Sequence, residues 1–320
     1  MRNYIAKRLV HAFVVVWIVA TVVFGAVRAI PGDPVQLMLG GDATQEAREQ
    51  LEAQLGLDQP IYVQYGRWMG RLAQGDFGES LSTGVPVFEL LVQVGGPTVS
   101  IGLVGMSIAL LIAVPAGLIS AVHQYEWDDY IATFIAFLGI SMPGFWAGIL
   151  LIVLFAQHVE FIPAFGYVPL REGGLSEWFS HVLLPAIAVG IPYGGIIMRM
   201  MRSSMLEVFS EDYIRTARAK GLSPKLIVFK HAFQNALIPV VTIGGILLGT
   251  LLGGVVAVEL VFGIQGLGRL LIGSIHQRDF PVIQGSIVLI AFVFVMANLV
   301  IDILYTMINP QIKYGGGQES

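Results

Sequence analysis

The sequence predicts an all-helical integral membrane protein, and three observations lead to that prediction. First, the 320 residues are 55% hydrophobic and 12% charged, with a mean hydropathy of +0.75, whereas soluble domains have roughly 25% charged residues. Second, six charge-free intervals are each long enough for a helix that crosses a bilayer core of about 30 Å. Third, Lys and Arg are enriched in alternate connecting segments, as in multi-pass proteins. A soluble enzyme is therefore excluded.

Trimming the six intervals at their polar, Gly and Pro edges gives the predicted spans, which lie near residues 9–30, 97–122, 130–157, 181–201, 236–258 and 284–308. The first has a basic start, as a signal peptide does. Its apolar stretch is longer than the 7–15 residues of a signal core, and no clean small-x-small cleavage site follows it. We therefore predict that it is a retained helix.

The Lys and Arg distribution predicts that both termini are cytoplasmic. In that orientation 11 of the 18 basic residues face the cytoplasm, and seven of these lie between Arg199 and Lys230. Enrichment of basic residues in cytoplasmic segments is the general rule. The connection His123–Asp129 has acidic residues but no Lys or Arg, and acidic residues contribute little to the rule. We predict that Arg199 and Arg202 mark the membrane interface.

The predicted domain layout is unequal. Residues 1–30 are the N-terminal end and first span, 31–96 an extracytoplasmic cap, 97–314 a five-helix core, and 315–320 a flexible tail. The 66-residue cap segment has nine acidic residues and three Arg. It is richer in aromatic residues than a disordered linker, and we predict a helix near Thr44–Leu55. The turn motifs Pro31–Pro34 and Gly40–Gly41 precede that helix.

The segment 202–235, between the fourth and fifth spans, has the most specific pattern. Ser210 is a candidate cap for a helix that has Glu211 and Asp212 in its first turn, where the helix dipole favours acidic residues. Gly221 is a natural end of that helix. Ser223 followed by Pro224 predicts the start of a second helix. The pattern predicts an ordered helix–Gly turn–helix; the charges alone fit a loop that only fixes topology.

This segment closely resembles the cytoplasmic loop of binding-protein-dependent ABC importer permeases, in particular the first-permease type of the dipeptide/oligopeptide/nickel/glutathione group. The general signature of the superfamily is Glu-Ala-Ala-x-x-x-Gly, and here only Ala217 and Gly221 match it. The narrower Arg-Thr-Ala-Arg-Ala-Lys-Gly form matches throughout. The resemblance implies that the loop couples to an ATPase subunit through Glu211, Asp212, Tyr213, Arg215, Thr216, Ala217, Arg218, Gly221 and Leu222.

Further motifs extend the resemblance over about residues 3–314. They are Ile30–Pro34, Leu55–Pro60, Gly75–Ser80, Phe262–Arg269, Arg278–Pro281 and Ile308–Pro310. Gln265 and Gln234 stand where the family usually has Pro. The resemblance implies the six-helix fold of type I ABC importer permeases.

The resemblance also implies the partners of the chain. We expect a homologous second permease, two ATPase subunits that bind ATP and Mg²⁺, an extracytoplasmic substrate-binding protein and lipid of the cell (inner) membrane. No cofactor is expected in this chain. Nucleic acid is not an expected partner, because the net charge of −4 gives no basic footprint. The substrate is expected to be a peptide, with glutathione, a nickel chelate or another small solute as alternatives.

The sequence has no Gly-x-x-x-x-Gly-Lys-Ser/Thr phosphate-binding loop, no His-Glu-x-x-His motif and no Gly-x-Ser-x-Gly motif, which argues against catalysis. It has no Cys, and its six His lack metal-ligand spacing. A stand-alone secondary transporter, which needs ionisable relays within the membrane, has one candidate residue, Asp302. That residue fits a substrate or proton site, or a polar contact near the helix end. Candidate translocation-path residues lie at a helix break and are Ser141, Met142, Pro143 and Phe145.

Overall fold

The computed structural model describes residues 2–29, 44–156, 158–159 and 162–308, and these residues form a helical bundle. Its helices are α1 (Arg2–Ala29), α2 (Gln45–Leu55), α3 (Ile61–Ala73), α4 (Val87–Val122), α5 (Trp127–Ser141), α6 (Gly144–Leu151), α7 (Leu170–Ser210), α8 (Asp212–Ala219), α9 (Pro224–Leu226), α10 (Phe233–Val261), α11 (Leu267–Gln277) and α12 (Phe280–Ile308). Two π-helical turns, Ile152–Ala156 and Ile227–Ala232, follow α6 and α9. The prediction of an all-helical, multi-pass fold is confirmed.

Among the described residues, five helices are long and apolar enough to cross a membrane, and a sixth span exists if the bent pair α5–α6 is counted as one. We predicted one span at 130–157 with a helix break at Ser141–Trp146. The structure has this break, and α5 and α6 are bent by 106° at Met142–Pro143. Pro143 has no backbone N–H and disfavours helical angles at the residue before it, and Met142 is extended (φ −92°, ψ 118°).

The predicted spans are too short at several ends. The second span begins at Val87 rather than 97, and the fourth covers Leu170–Ser210 rather than 181–201. The predicted spans were trimmed at polar residues, which mark the edge of the apolar layer of the membrane. The helices continue beyond that edge. The cap therefore ends at Pro86. Near its start, α7 is kinked at Gly174, whose φ of 67° is not helical.

The second and fourth spans are in backbone contact. A Cβ on Gly105 would lie 2.8 Å from the carbonyl oxygen of Ala186, and one on Gly190 would lie 2.8 Å from the carbonyl oxygen of Gly105. Nearer the ends of these helices, a Cβ on Gly117 would lie 2.6 Å from the carbonyl oxygen of Met198. Small residues allow membrane helices to approach this closely. The fourth span is thereby the central helix of the bundle.

The first span packs along the sixth. Val23 and Val27 are buried against Phe280 and Ile283, so the first and last spans of the chain lie side by side. This pairing places the start of α12 at the same end of the bundle as residues 44–86. We call this the cap end, and the opposite end, where residues 211–232 lie, the loop end.

The described part of the cap is folded against the first span. Phe24 of α1 contacts the rings of Tyr65 and Trp68 of α3, with centroid distances of 5.2 and 5.4 Å. Arg28 donates to the side chain of Gln64 and lies over the Phe24 ring. The predicted helix near 44–55 is present as α2. The Pro31–Pro34 and Gly40–Gly41 motifs lie outside the described residues.

Candidate functional site

The segment 211–232, which we call the 211–232 loop, joins the fourth and fifth spans. Glu211 separates α7 from α8, and Gly221 separates α8 from α9. Ser223 occupies the N-cap position of α9 and Pro224 its first position, without a side-chain capping bond. The predicted helix–Gly turn–helix arrangement is confirmed.

One detail of that prediction is wrong, because Ser210 does not cap α8. The helix α7 continues through Ser210, whose hydroxyl donates back to the carbonyl oxygen of Glu207 at 2.6 Å. Glu211 takes the N-cap position in an extended conformation, and its carbonyl oxygen accepts the backbone N–H groups of Ile214 and Arg215. The fourth span thus leads into α8 through a single non-helical residue.

The helix α8 has a buried side and an exposed side. Ile214 is fully buried and Ala217 is 7% exposed, and both belong to the main core of the bundle. The other predicted coupling residues of this helix are exposed: Asp212, Tyr213, Arg215, Thr216 and Arg218. Two apolar anchors therefore fix the helix to the bundle, and its polar side remains open to a partner.

The end of α8 is a tight glycine turn. Gly221 has φ 76°, in the left-handed region that side chains with a Cβ occupy only at a cost. Its backbone N–H donates to Arg218, and the N–H of Leu222 donates to Ala217. This is the hydrogen-bond pattern of a Schellman motif. The turn reverses the chain direction and fixes α8 relative to α9.

A side-chain bridge fixes α8 to the start of the fifth span. The Tyr213 hydroxyl accepts a 3.0 Å hydrogen bond from the side-chain amide of Asn235 and donates to the carbonyl oxygen of His231 at 3.4 Å. Arg215 contacts Asp212 at 3.3 Å, but both side chains are exposed, and such pairs contribute little to stability. The Arg215–Asp212 pair lies within α8, whereas the Tyr213 bridge joins α8 to the fifth span.

An open groove of about 700 Å³ separates the 211–232 loop from the ends of the second and fourth spans. Arg218 is the one charged residue among those that line it. The remaining lining residues are mostly apolar: Ala121, Val122, Gln124, Leu206, Phe209, Ser210, Leu222, Pro224, Ile227 and Val228.

A buried ion pair lies next to this groove, and sequence reasoning missed it. Asp129, 3% exposed, accepts hydrogen bonds from Arg202 Nε at 2.6 Å and Nη2 at 2.8 Å. It also accepts from the hydroxyls of Ser120 and Thr133 and from the backbone N–H of Tyr125. We predicted that Arg202 marks the membrane interface. Its carboxylate partner, Asp129, was assigned to the connection His123–Asp129. Asp129 just before one predicted span and Arg202 just after another were the available signal.

Two further buried carboxylates stabilise the cap end. Glu259, fully buried, accepts from the Thr98 hydroxyl at 2.6 Å and from the backbone N–H of Arg269 at 3.0 Å, so it caps the start of α11. Asp279 accepts from Ser82 and from the backbone N–H of Leu81. Through Asp279 the Gly75–Ser80 and Arg278–Pro281 motifs are brought together. Sequence reasoning had assigned no role to either carboxylate.

The candidate path residues remain predictions. Ser141, Pro143 and Phe145 are exposed at the α5–α6 break, and Met142 is half-buried. Asp302 lies in α12, but its side chain is outside the described part of the chain. The predicted coupling residues lie together in the 211–232 loop. The candidate path residues lie at the α5–α6 break, which is a separate part of the structure.

A helical bundle of five or six spans, with an anchored two-helix loop between the fourth and fifth, defines a multi-pass membrane protein. Residues 113–314 match the family described as binding-protein-dependent transport system inner membrane component, and residues 1–94 match the description of the N-terminal part of such components. The chain belongs to this family. The predicted resemblance to ABC importer permeases is confirmed.

Known relatives cover nearly the whole chain. It is 41% identical over 333 residues to the dipeptide transport system permease protein DppB of Alkalihalophilus pseudofirmus, with 98% of this chain and 100% of that protein covered. It is 41% identical over 314 residues to the glutathione transport system permease protein GsiC of Escherichia coli K12, with the same coverage. A probable peptide ABC transporter permease, y4tP of Sinorhizobium fredii, is 40% identical over 315 residues, again with 98% of this chain and 100% of that protein covered.

A solved structure has the same fold. The chain is similar to an inward-facing structure of the MetNI methionine ABC transporter, with a TM-score of 0.57 and 20% identity. The similarity covers 69% of this chain and 96% of that chain. It places the described bundle in the type I ABC permease fold.

Proposed function

We propose that this chain is a permease subunit of an ATP-driven importer of short peptides and forms the translocation path with a homologous second permease. The relatives named for dipeptide, peptide and glutathione transport support this substrate class. Glutathione is itself a short peptide, so these names agree on a chemical class. A nickel chelate or another small solute remains the alternative cargo of the same importer class.

The proposed partners are two ATPase subunits at the loop end and a substrate-binding protein at the cap end. In this orientation the loop end faces the cytosol, both termini are cytoplasmic and the chain lies in the inner membrane. The concentration of basic residues between Arg199 and Lys230 supports the orientation. ATP and Mg²⁺ bind to the ATPase subunits, because the present sequence has no phosphate-binding loop.

The observation that carries the coupling role is the anchoring of α8. Ile214 and Ala217 fix it in the core of the bundle, while Arg215 and Arg218 remain exposed. Because α8 is anchored to the spans and exposed to a partner, a partner that displaces α8 also displaces the spans. ATP binding and the loaded binding protein then favour one conformation of the path, which requires that each binds the two conformations with different affinity.

Reconstitution of the complete complex tests the proposal. The chain is co-expressed with the proposed second permease, ATPase subunits and binding protein. The complex is purified through an affinity tag on this chain and placed in liposomes. We expect the ATPase to be retained, and ATP-dependent uptake of labelled di- and tripeptides. Uptake of glutathione but of no other peptide would restrict the proposed substrate to glutathione. Uptake of a nickel chelate but of no peptide would replace the proposed substrate class. Uptake without an ATPase would contradict the importer class.

A further inference from the structure

The Asp129–Arg202 pair links three spans at the loop end. Asp129 belongs to the first turn of α5, Ser120 to the last turn of α4, and Arg202 to α7. Arg202 approaches with two donors, one on each carboxylate oxygen, which is a geometrically specific contact. Asp129 is almost fully buried, and a buried carboxylate requires such partners. One carboxylate therefore joins the second, third and fourth spans.

The pair lies between the last backbone contact of the spans and the 211–232 loop. The second and fourth spans touch at Gly117 and Met198, one helical turn before Arg202. Beyond Arg202 the groove of about 700 Å³ separates Val122 from Leu222 and Val228. Past this pair the groove lies between the 211–232 loop and the ends of the second and fourth spans.

The 211–232 loop reaches the bundle mainly through α7 and α10. The helix α8 packs on α7, which continues without interruption from Arg202 to Ser210. A displacement of α8 therefore acts directly on the end of the fourth span, as well as on the start of the fifth. The pair ties that end of the fourth span to the ends of the second and third spans.

We infer that Asp129 and Arg202 are positioning residues that make the ends of the second, third and fourth spans move as one body with the 211–232 loop. This inference rests on the proposed function, because it assigns to the pair the transfer of an ATPase-driven displacement to the permeation path. Neither side chain is assigned contact with the transported peptide.

A neighbouring arginine provides a matched control. Arg199 lies one turn earlier on α7, is exposed, and stands over the Phe137 ring at 5.1 Å. It has the same charge as Arg202 and lies at nearly the same depth in the bundle, but its guanidinium contacts an aromatic ring. A general effect of positive charge at this end of the helix would appear equally in Arg199→Met and Arg202 variants.

The first experiment uses the complete complex in liposomes and measures peptide transported per ATP hydrolysed. The double variant Asp129→Asn/Arg202→Met removes both charges, so that neither is left buried and unpaired. We expect it to retain the ATPase and hydrolyse ATP, with transport per ATP reduced about tenfold, within the usual range of allosteric coupling. Arg202→Lys keeps the charge but not the two-donor contact, so its ratio should lie between those of the double variant and the wild type, and Arg199→Met should match the wild type.

A wild-type ratio in the double variant would overturn the inference, and so would an Arg199→Met variant that is as impaired as the double variant. The wild-type complex must itself transport and retain the ATPase, and its failure to do so would contradict the proposed function instead. The two failures are therefore distinguishable.

A second measurement leaves the pair intact. Spin labels at Glu126→Cys and Glu207→Cys report the distance between the α4–α5 connection and the end of α7, both exposed. We expect the same distance distribution in the nucleotide-free and ATP-bound complexes. A shift between those states would show that the spans move separately and would overturn the inference.

Discussion

The backbone N–H of Leu222 donates to the carbonyl oxygen of Ala217 at 3.3 Å, across the turn at Gly221. This bond closes α8 while Ala217 is buried in the core. The chain then leaves in the direction of α9 without disturbing the exposed side of α8. The orientation of the proposed coupling helix thus depends on a backbone turn as well as on side-chain packing.

Replacing Gly221 by Val should uncouple hydrolysis from transport. No atom lies within 4 Å of a Cβ at this position, so the cost comes from the positive φ, about 1–2 kcal/mol for a side chain with a Cβ. We expect the spans to insert normally and ATPase retention during affinity purification to fall. Gly221→Asn is the control, because Asn tolerates this conformation. Equal losses of ATPase retention in Gly221→Val and Gly221→Asn would show that the positive φ of the turn is not the cause.

Reversing the charge of Arg218 should weaken ATPase binding through electrostatics. Arg218 lies on α8 and also lines the groove, whereas Lys225, on α9, is exposed and does not line it. We expect Arg218→Glu to lower ATPase retention more than Lys225→Glu does, with a stronger loss at low ionic strength, where screening is weak. Equal effects of the two reversals would indicate that only the net charge of the loop matters.

The Tyr213–Asn235 bridge should restrain α8. Tyr213→Phe retains the ring and removes the hydroxyl that contacts Asn235 and His231. We expect faster hydrogen exchange across Asp212–Ala219, equivalent to about 0.5–1 kcal/mol, the lower part of the usual range for one hydrogen bond, because the site is exposed.

A double-mutant cycle identifies the source of that effect. Asn235→Ala should give a similar acceleration, and the combination with Tyr213→Phe should add little, because the two changes remove the same contact. Additive effects would show that the two side chains act separately.

Glu259 should be important for stability at the cap end. Its carboxylate caps α11 and accepts from Thr98, so Glu259→Ala leaves buried donors without a partner at about 1–3 kcal/mol each. Glu259→Gln keeps one acceptor oxygen and should cost less. Thermal unfolding of the purified complex in detergent measures both. A Gln variant as unstable as the Ala variant would point to the charge rather than to the capping bonds.

The sequence predicted local features well because they depend on neighbouring residues. Hydropathy located the spans, and the Gly221 and Pro224 pattern located the loop helices. The bend at Met142–Pro143 was recognised as a break, but its 106° angle depends on packing around Gly144 and Gly148. Ser210 failed as a cap because α7 continues through it, and local preference cannot determine where a packed helix ends.

Contacts between distant residues were not predictable. Asp129 and Arg202 are 73 positions apart, and Ser80 and Asp279 are 199 apart. No periodicity relates such positions, since the pairing follows from how the spans pack. The predicted coupling residues, by contrast, are close together in sequence and therefore lie on α8 or in the turns that flank it. The role of Asp302 stays a prediction, and Asp302→Asn should leave transport intact if it makes only a polar contact.

The orientation of the bundle should be visible by thiol labelling, because the chain has no native Cys. Thr83 is exposed in the cap, whereas the neighbouring Ser82 donates to Asp279 and is the poorer choice. We expect a membrane-impermeant reagent to label Thr83→Cys from outside intact cells. Lys225→Cys, exposed in the 211–232 loop, should be labelled only after permeabilisation. The opposite pattern would invert the topology and remove the proposed ATPase contact, since a cytosolic partner cannot reach a loop outside the membrane.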